Sequence, residues 1–223
     1  MSVSEAVRRR RSVRGFLDKP VSSDLVRQLI GEAARAPSGG NLQPWHIHAV
    51  GGATLAALKT RMAIRIAELP KGEAMEYEIY PSDLPSPYAE RRFQVGEDLY
   101  GAIGIPREDR AGRRIQFNAN FRFFDAPVGL FCYVHRNMGP PQWSDLGMYL
   151  QTLMLLAVDA GLATCAQECW ALYPQTIAEF VSAPAEHMLF CGVALGYEDT
   201  AAKANRLYAS RAPMEEFATF IDL

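Results

Sequence analysis

Five arginines, Arg8, Arg9, Arg10, Arg11 and Arg14, crowd into seven positions near the start of the chain, with Ser12 among them. Guanidinium forks match phosphate oxygens and a serine hydroxyl adds a short contact, so Arg10, Arg11, Ser12 and Arg14 are candidate phosphate ligands. A solvated basic face is the competing reading. A second segment, APSGGNLQPW at 36–45, carries different chemistry. Gly39 and Gly40 permit close backbone approach, and Ser38, Asn41 and Gln43 offer hydroxyl and amide groups to a heteroatom-rich ligand. Alone this segment reads as a polar turn. Joined to the arginines and to Arg211 near the other terminus, it reads as part of a cofactor cradle.

Other site types are disfavoured by what the motifs require. No GxGxxG opens a βαβ unit, and neither a GxxxxGK[ST] loop nor a GxSxG elbow occurs. His46 and His48 share a strand face, but His135 and His187 stand alone in apolar segments, so no metal site is expected. Cys132, Cys165 and Cys191 lie in apolar runs and read as buried thiols, and the Cys165/Cys169 pair is a weak thiol-redox candidate. Glu168 and Asp145 are available carboxylates with no evident acid/base pairing.

The elements that must position these groups follow from periodicity and composition. The chain has 223 residues, 49% of them hydrophobic and 22% charged, which suits one domain of an ordinary globular protein. With 23 Lys plus Arg against 25 Asp plus Glu, the net charge of -2 gives no overall attraction to nucleic acid or acidic membranes. Neither a signal-like apolar run nor an uncharged apolar stretch of about 18 residues is found, so cytoplasm is the expected location.

A helix is expected from near Ser4, another over LVRQLIGEAARA, a strand at WHIHAVG and a helix over 54–69. Residues 70–87, rich in Pro, Glu, Tyr and Ser, read as an excursion, part of a lid-like region around 70–122. VGEDLYGAIG predicts a short helix, and IPREDRAGRRIQFNANF one in part. PVGLFCYVHR and HMLFCGVALGY predict buried strands, with a helix at TIAEFVSA between them. The helix from about Trp143 to Ala160 is apolar almost all round and ends at Gly161, which places it centrally or along a subunit boundary. GLATC reads as the exit from a turn.

Six segments in order resemble the flavin-dependent nitroreductase family: RRSVRGF at 10–16, APSGGNLQPW at 36–45, FFDAPVGLF at 123–131, GMYLQTLMLLAVDAGLATCAQE at 147–168, CGVALGY at 191–197 and SRAPMEEF at 210–217. YPSDLPSPYAERR and GIPREDRAGRR are similar to its nitrobenzoate-reductase-like subgroup. The resemblance implies an α/β (α+β) sandwich with a mixed central sheet flanked by helices, as an intertwined homodimer exchanging C-terminal residues. It implies one FMN-binding domain over residues 1–223.

By the same resemblance, Arg10 and Ser12, with Arg11 and Arg211, hold the phosphate and ribityl end of FMN, and Arg14 reaches the N1/O2 edge of the ring. Pro37, Ser38, Gly39 and Asn41 are donated to the neighbouring subunit's site. Gln151 lies near the flavin, with Ala166, Gln167 and Glu168 in a loop beside N5. Two departures stand out: Ala209 occupies a position that is basic in many relatives, and AQECW replaces a glycine-rich loop.

The implied activity is electron transfer from NAD(P)H to nitroaromatic compounds by alternating occupancy of one site, with the cofactor carrying the chemistry and no side chain acting as an obligatory catalyst. Reduction of quinones, activated alkenes or halogenated aromatics is an alternative, as is a flavin-binding or flavin-modifying role without nitroreduction. Arg91, Arg92 or Arg107 are candidates for selecting an anionic substrate.

Overall fold

The computed structural model describes residues 1–222. Its helices are α1 (Val3–Arg9), α2 (Ser23–Ala33), α3 (Gly52–Glu68), α4 (Tyr88–Ile103), α5 (Arg110–Asn118), α6 (Pro140–Asp159) and α7 (Pro174–Val181). Four strands, β1 (His46–Gly51), β2 (Val128–His135), β3 (Ala163–Gln167) and β4 (His187–Gly196), form one sheet in the order β1-β2-β4-β3. All three ladders are antiparallel. The sheet becomes mixed through one parallel bridge, Ser12 with Thr164, on the free side of β3.

Alternation along β2 explains the layers. Phe131 and Tyr133 point into a core with Leu55, Leu58 and Met62 of α3, Ile177 of α7 and Trp170. Leu130, Cys132 and Val134 point the other way, into a core with Val26 and Leu29 of α2 and Leu146, Tyr149 and Leu153 of α6. A strand buried on both faces has no polar alternation, which is why PVGLFCYVHR and HMLFCGVALGY read as continuous apolar runs. Helices thus cover both faces of the sheet, as the α+β expectation requires.

Local chemistry sets the helix ends. The Ser2 hydroxyl accepts from the Glu5 amide at 3.2 Å and starts α1; Ser22 does the same for α2 through the Leu25 amide, also at 3.2 Å. Gly161, at φ +75°, follows the last residues of α6, the left-handed geometry that glycine accepts most cheaply. Helix α1 stops at Arg9, so Arg10 to Phe16 run extended instead of stacking more like charges on one helix face.

Three expectations change. ATCAQ is strand β3, not a turn exit; it is short and mostly buried, so periodicity alone could not separate it from its surroundings. Helix α4 spans 16 residues and has no buried residue, with Tyr88, Phe93 and Val95 exposed. Helix α6 is central, but Gly147 and Met148 on it face outward.

Close packing across the sheet limits side-chain size. A Cβ on Gly192 would lie 2.3 Å from Trp170 Cδ1, inside a core where the indole is fully buried. Gly192→Ala is expected to cost about 1–3 kcal/mol of stability, read as a lower denaturant midpoint at unchanged m-value.

The irregular segment 70–87 is tied down at defined points. A bulge between Cys132 and Tyr133 leaves Phe190 without a ladder partner, and its carbonyl accepts the Tyr77 hydroxyl. Glu76 pairs with Arg136 at 2.7 Å. The Glu73 side chain is 2% exposed and accepts from Arg65 Nε at 2.9 Å, from the Gln175 and Thr176 amides at 2.9 and 3.1 Å, and from the Thr176 hydroxyl.

Burial pushes the Glu73 carboxyl up, but the bonds from Thr176, Arg65 and Gln175 outweigh it and hold it below the ordinary 4.5. Its contribution is therefore complete above that value and lost as pH falls through the lower folded-state value. Glu73→Gln should cost about 1–3 kcal/mol at neutral pH. The gap between it and the unsubstituted protein should close on acidification, as chemical denaturation between neutral and strongly acidic pH would show.

Candidate active site

The extended segment after α1 lies along the free edge of β3. The Val13 amide donates to the Thr164 carbonyl at 2.9 Å, and further on the Leu17 amide donates to Tyr197 at 2.9 Å. Extended backbone sends alternate side chains to opposite sides. Val13 enters the core at 2% exposure, while Arg10, Ser12 and Arg14 stay half-buried.

Arg10 and Ser12 meet Cys165, whose thiol lies beside the Ser12 hydroxyl and within the fields of Arg14 and Arg10. Burial outweighs those influences and pushes the thiol up, so Cys165 stays neutral. Arg10 also faces Arg211 from the far end of the chain. Desolvation and then the Arg211 charge lower the Arg10 guanidinium below its ordinary value. Among the described residues neither arginine pairs with a carboxylate, and Arg211 Nη1 donates only to the carbonyls of Ala209 and Ser210, at 2.9 and 2.8 Å. The two like charges repel, and an anion such as a phosphate bound between them would relieve that.

Arg11 departs from its neighbours. Its guanidinium pairs with Glu198 and lies 4.5 Å above the Tyr208 ring, while its buried Nε has no hydrogen-bond partner among the described residues. Spacing along the extended segment, visible only once the end of α1 is known, separates it from the Arg10 group.

A buried amide holds the segment in place. Asn205, 3% exposed, accepts from the Arg14 amide at 2.7 Å and donates to the Gly15 and Asp199 carbonyls at 2.8 and 2.9 Å. Sequence reading passed over Asn205, because its role depends on contacts some 190 positions apart; its one signal is an amide within an otherwise unremarkable AKANR stretch. Gly15 admits this packing, since a Cβ there would meet Ala202 Cβ at 2.5 Å.

The APSGGNLQPW segment is anchored elsewhere, at the start of α6. The Gly39 amide donates to Asp145 at 3.2 and 3.3 Å, which gives the buried Asp145 a positioning role. The Gln43 amide donates to the Ser38 hydroxyl at 3.0 Å, and the Trp45 ring stacks on Tyr149 at 4.9 Å. Gly40, Asn41 and Gln43 have φ of 57°, 57° and 50°, so the loop turns through left-handed geometry. Pro37 and the stretch from Gly39 to Gln43, including Leu42, are exposed. Gln151 lies half-buried further along α6.

Ala166 and Gln167 end β3, and Glu168 begins the short helical turn that follows, so the expected N5 loop is a strand end. Ala166 is the exposed member of this otherwise buried strand. The Gln167 side chain is taken up internally: it donates to the Asn120 carbonyl at 2.9 Å and accepts from Trp170 Nε1 at 3.3 Å. Only its backbone is left for a ligand. Partial desolvation raises the Glu168 carboxyl above its ordinary value.

The histidines are less isolated than their sequence contexts imply. His46 and His187 lie ring to ring at 4.0 Å, and His135 is 6.3 Å from His187. Among the described residues no group of three or more His, Cys, Asp and Glu side chains is arranged to hold a metal. No helix among them is long and apolar enough to cross a membrane.

Helices cover both faces of the sheet, and the segment with Arg10, Ser12 and Arg14 runs along its β3 edge. The chain belongs to the nitroreductase family, whose model matches residues 7–197. It is 35% identical over 219 residues to the nitrobenzene nitroreductase of Ectopseudomonas oleovorans, covering 98% of this chain and 96% of the relative. It is 38% identical over 212 residues to the 4-nitrobenzoate reductase of Pseudomonas putida, covering 95% and 92%. The solved FMN and NADPH-dependent nitroreductase NfnB from Sphigopyxis sp. strain HMH is 47% identical with a TM-score of 0.97, covering both chains fully. The FMN-dependent NfnB from Mycobacterium smegmatis, solved in complex with NADPH, is 28% identical with a TM-score of 0.92, covering 99% of this chain and 100% of that one.

Proposed function

We propose that this enzyme binds FMN and uses NAD(P)H to reduce nitroaromatic compounds, the two substrates occupying one site in turn. The observation that carries the reading is the half-buried Arg10 beside Ser12, with the exposed Arg211 adding a second charge and no carboxylate paired to either arginine among the described residues, a group fitted to the phosphate tail of FMN. Relatives whose names include FMN, NADPH and nitrobenzene support it. Bound FMN would supply two-electron transfer from the nicotinamide to the acceptor.

The chain's own groups do the rest. Arg10, Ser12 and Arg211 hold the phosphate and ribityl end, and Arg14 sets positive charge toward the N1/O2 edge of the ring. The exposed Ala166, with the backbone of Gln167 and Glu168, leaves flat space for the ring near N5. Gln151 supplies an amide from α6. Arg11 contributes through Glu198 and not through the phosphate. Each two-electron step takes two protons: a nitro group becomes a nitroso group with release of water, and a second cycle yields the hydroxylamine.

The second half of the site comes from a partner subunit in this proposal. Pro37, Ser38, Gly39 and Asn41 lie on an exposed loop held rigid by Asp145, suited to insertion across a twofold boundary. The exposed Val3, Val7, Leu42, Met148, Phe217, Phe220 and Ile221 supply apolar surface for that boundary and for an exchanged C-terminal tail. Residues 70–122 serve as the lid-like region at its mouth.

Anaerobic rapid mixing tests the activity. NADPH or NADH should bleach the yellow protein, and nitrobenzene should then restore the colour in a separate step. Bleaching that required both substrates together would contradict the alternating scheme. Monomers that retained one tightly bound FMN each would contradict the shared site.

A further inference from the structure

We propose that Arg92 is a specificity-determining residue that receives the 2′-phosphate of NADPH, making the enzyme prefer NADPH to NADH. The inference rests on the reading of FMN and NAD(P)H use above. A groove of about 1340 Å³ runs between α4 and the C-terminal segment, lined among others by Tyr80, Arg92, Phe93 and Arg211. Arg211 belongs also to the Arg10 cradle, so the groove opens from the place assigned to the cofactor phosphate.

Three arginines of this region were candidates for reading an anion, and the structure separates them. Arg91 is committed to Glu216 of the C-terminal segment. Arg107 lies over the Phe93 ring at 5.1 Å but does not line the groove. Arg92 lies over the Tyr80 ring, its Cζ 4.1 Å from the centroid, without a carboxylate partner among the described residues, on the groove wall. Stacking fixes the plane of the guanidinium while leaving its edge donors free, the state in which arginine best takes a phosphate. Tyr80 and Phe93, 47% and 50% exposed, line the same wall and give it aromatic surface for an adenine ring beside that phosphate.

Glu90 and Asp98 line the same groove, and Asp98 accepts from Gln94 at 2.7 Å. Their charge opposes the phosphate and limits the selectivity to a moderate, salt-sensitive preference.

The test is steady-state kinetics of Arg92→Ala on the FMN-loaded enzyme with nitrobenzene as acceptor. The expected result is a rise of about tenfold in KM for NADPH, with kcat within about twofold and KM for NADH changed less than about threefold. Arg92→Lys should recover part of the loss. Equal changes for both coenzymes, or none, would overturn the proposal. A rise in KM for 4-nitrobenzoate but not for NADPH would also overturn it, assigning Arg92 to the acceptor's carboxylate. Failure of NADPH to reduce the unsubstituted enzyme would remove the underlying reading, a result distinct from an unchanged coenzyme ratio.

Discussion

Arg10→Ala and Arg211→Ala should each weaken FMN retention by about 10–100-fold, since a hydrogen bond to a charged group contributes roughly 1.5–3 kcal/mol. The double variant should lose more, though less than the product, because both residues serve one phosphate. The same substitutions should leave the FMN-free protein as stable as before or slightly more so, because Arg10 is desolvated and faces Arg211 without a carboxylate. The FMN-loaded protein should melt lower, since ligand stabilisation falls as Kd rises.

Arg11→Ala should show the opposite pattern. Its guanidinium is held by Glu198 and Tyr208, so FMN affinity should change little while the thermal midpoint falls. FMN titration by fluorescence, paired with melting curves with and without FMN, separates the two cases. Equal loss of FMN affinity in Arg10→Ala and Arg11→Ala would contradict the alternation on which the site is built.

Arg14→Ala should slow cofactor reduction by about 10–100-fold at saturating NADPH with FMN still bound, the effect expected of removing one directed charge from a largely desolvated site. Fold should be kept, because the Arg14 backbone is secured by Asn205 while its side chain makes only a long bond, 3.3 Å, to the Ser12 carbonyl. Rapid-mixing rates at fixed FMN occupancy measure this directly. The reduction potential of the bound cofactor should also fall, because the lost guanidinium favoured the more negative form. A slower rate with an unchanged potential would assign Arg14 to substrate positioning.

Much of the fold was legible where one physical signal dominated. β2, β4 and α6 announced themselves through uninterrupted apolar runs, whereas α1, expected from near Ser4, is capped by Ser2. The cradle was legible in part. Arg10, Ser12 and Arg14 share a face because the chain is extended there, yet the same arginine run could have continued a helix. Where α1 stops decides that Arg11 turns to the other side of the extended segment, toward Glu198. β3 escaped notice because five mostly buried residues, with Ala166 alone exposed, carry no period.

The contacts that hold the site were the least legible. Asn205 secures Arg14, and Asp145 secures Gly39, across separations of 191 and 106 residues. No local pattern encodes such pairings. The histidine cluster is a similar case: its members come from β1, β2 and β4, and only strand register brings them together.

The central claim is that Arg10, Ser12 and Arg211 form a phosphate cradle for FMN, and titration of flavin-stripped protein with FMN tests it most directly. The account predicts uptake of one FMN per chain, competed by inorganic phosphate and much weaker for riboflavin, which has the ring without the phosphate. A protein that takes up no FMN, or binds riboflavin as tightly as FMN, would contradict it.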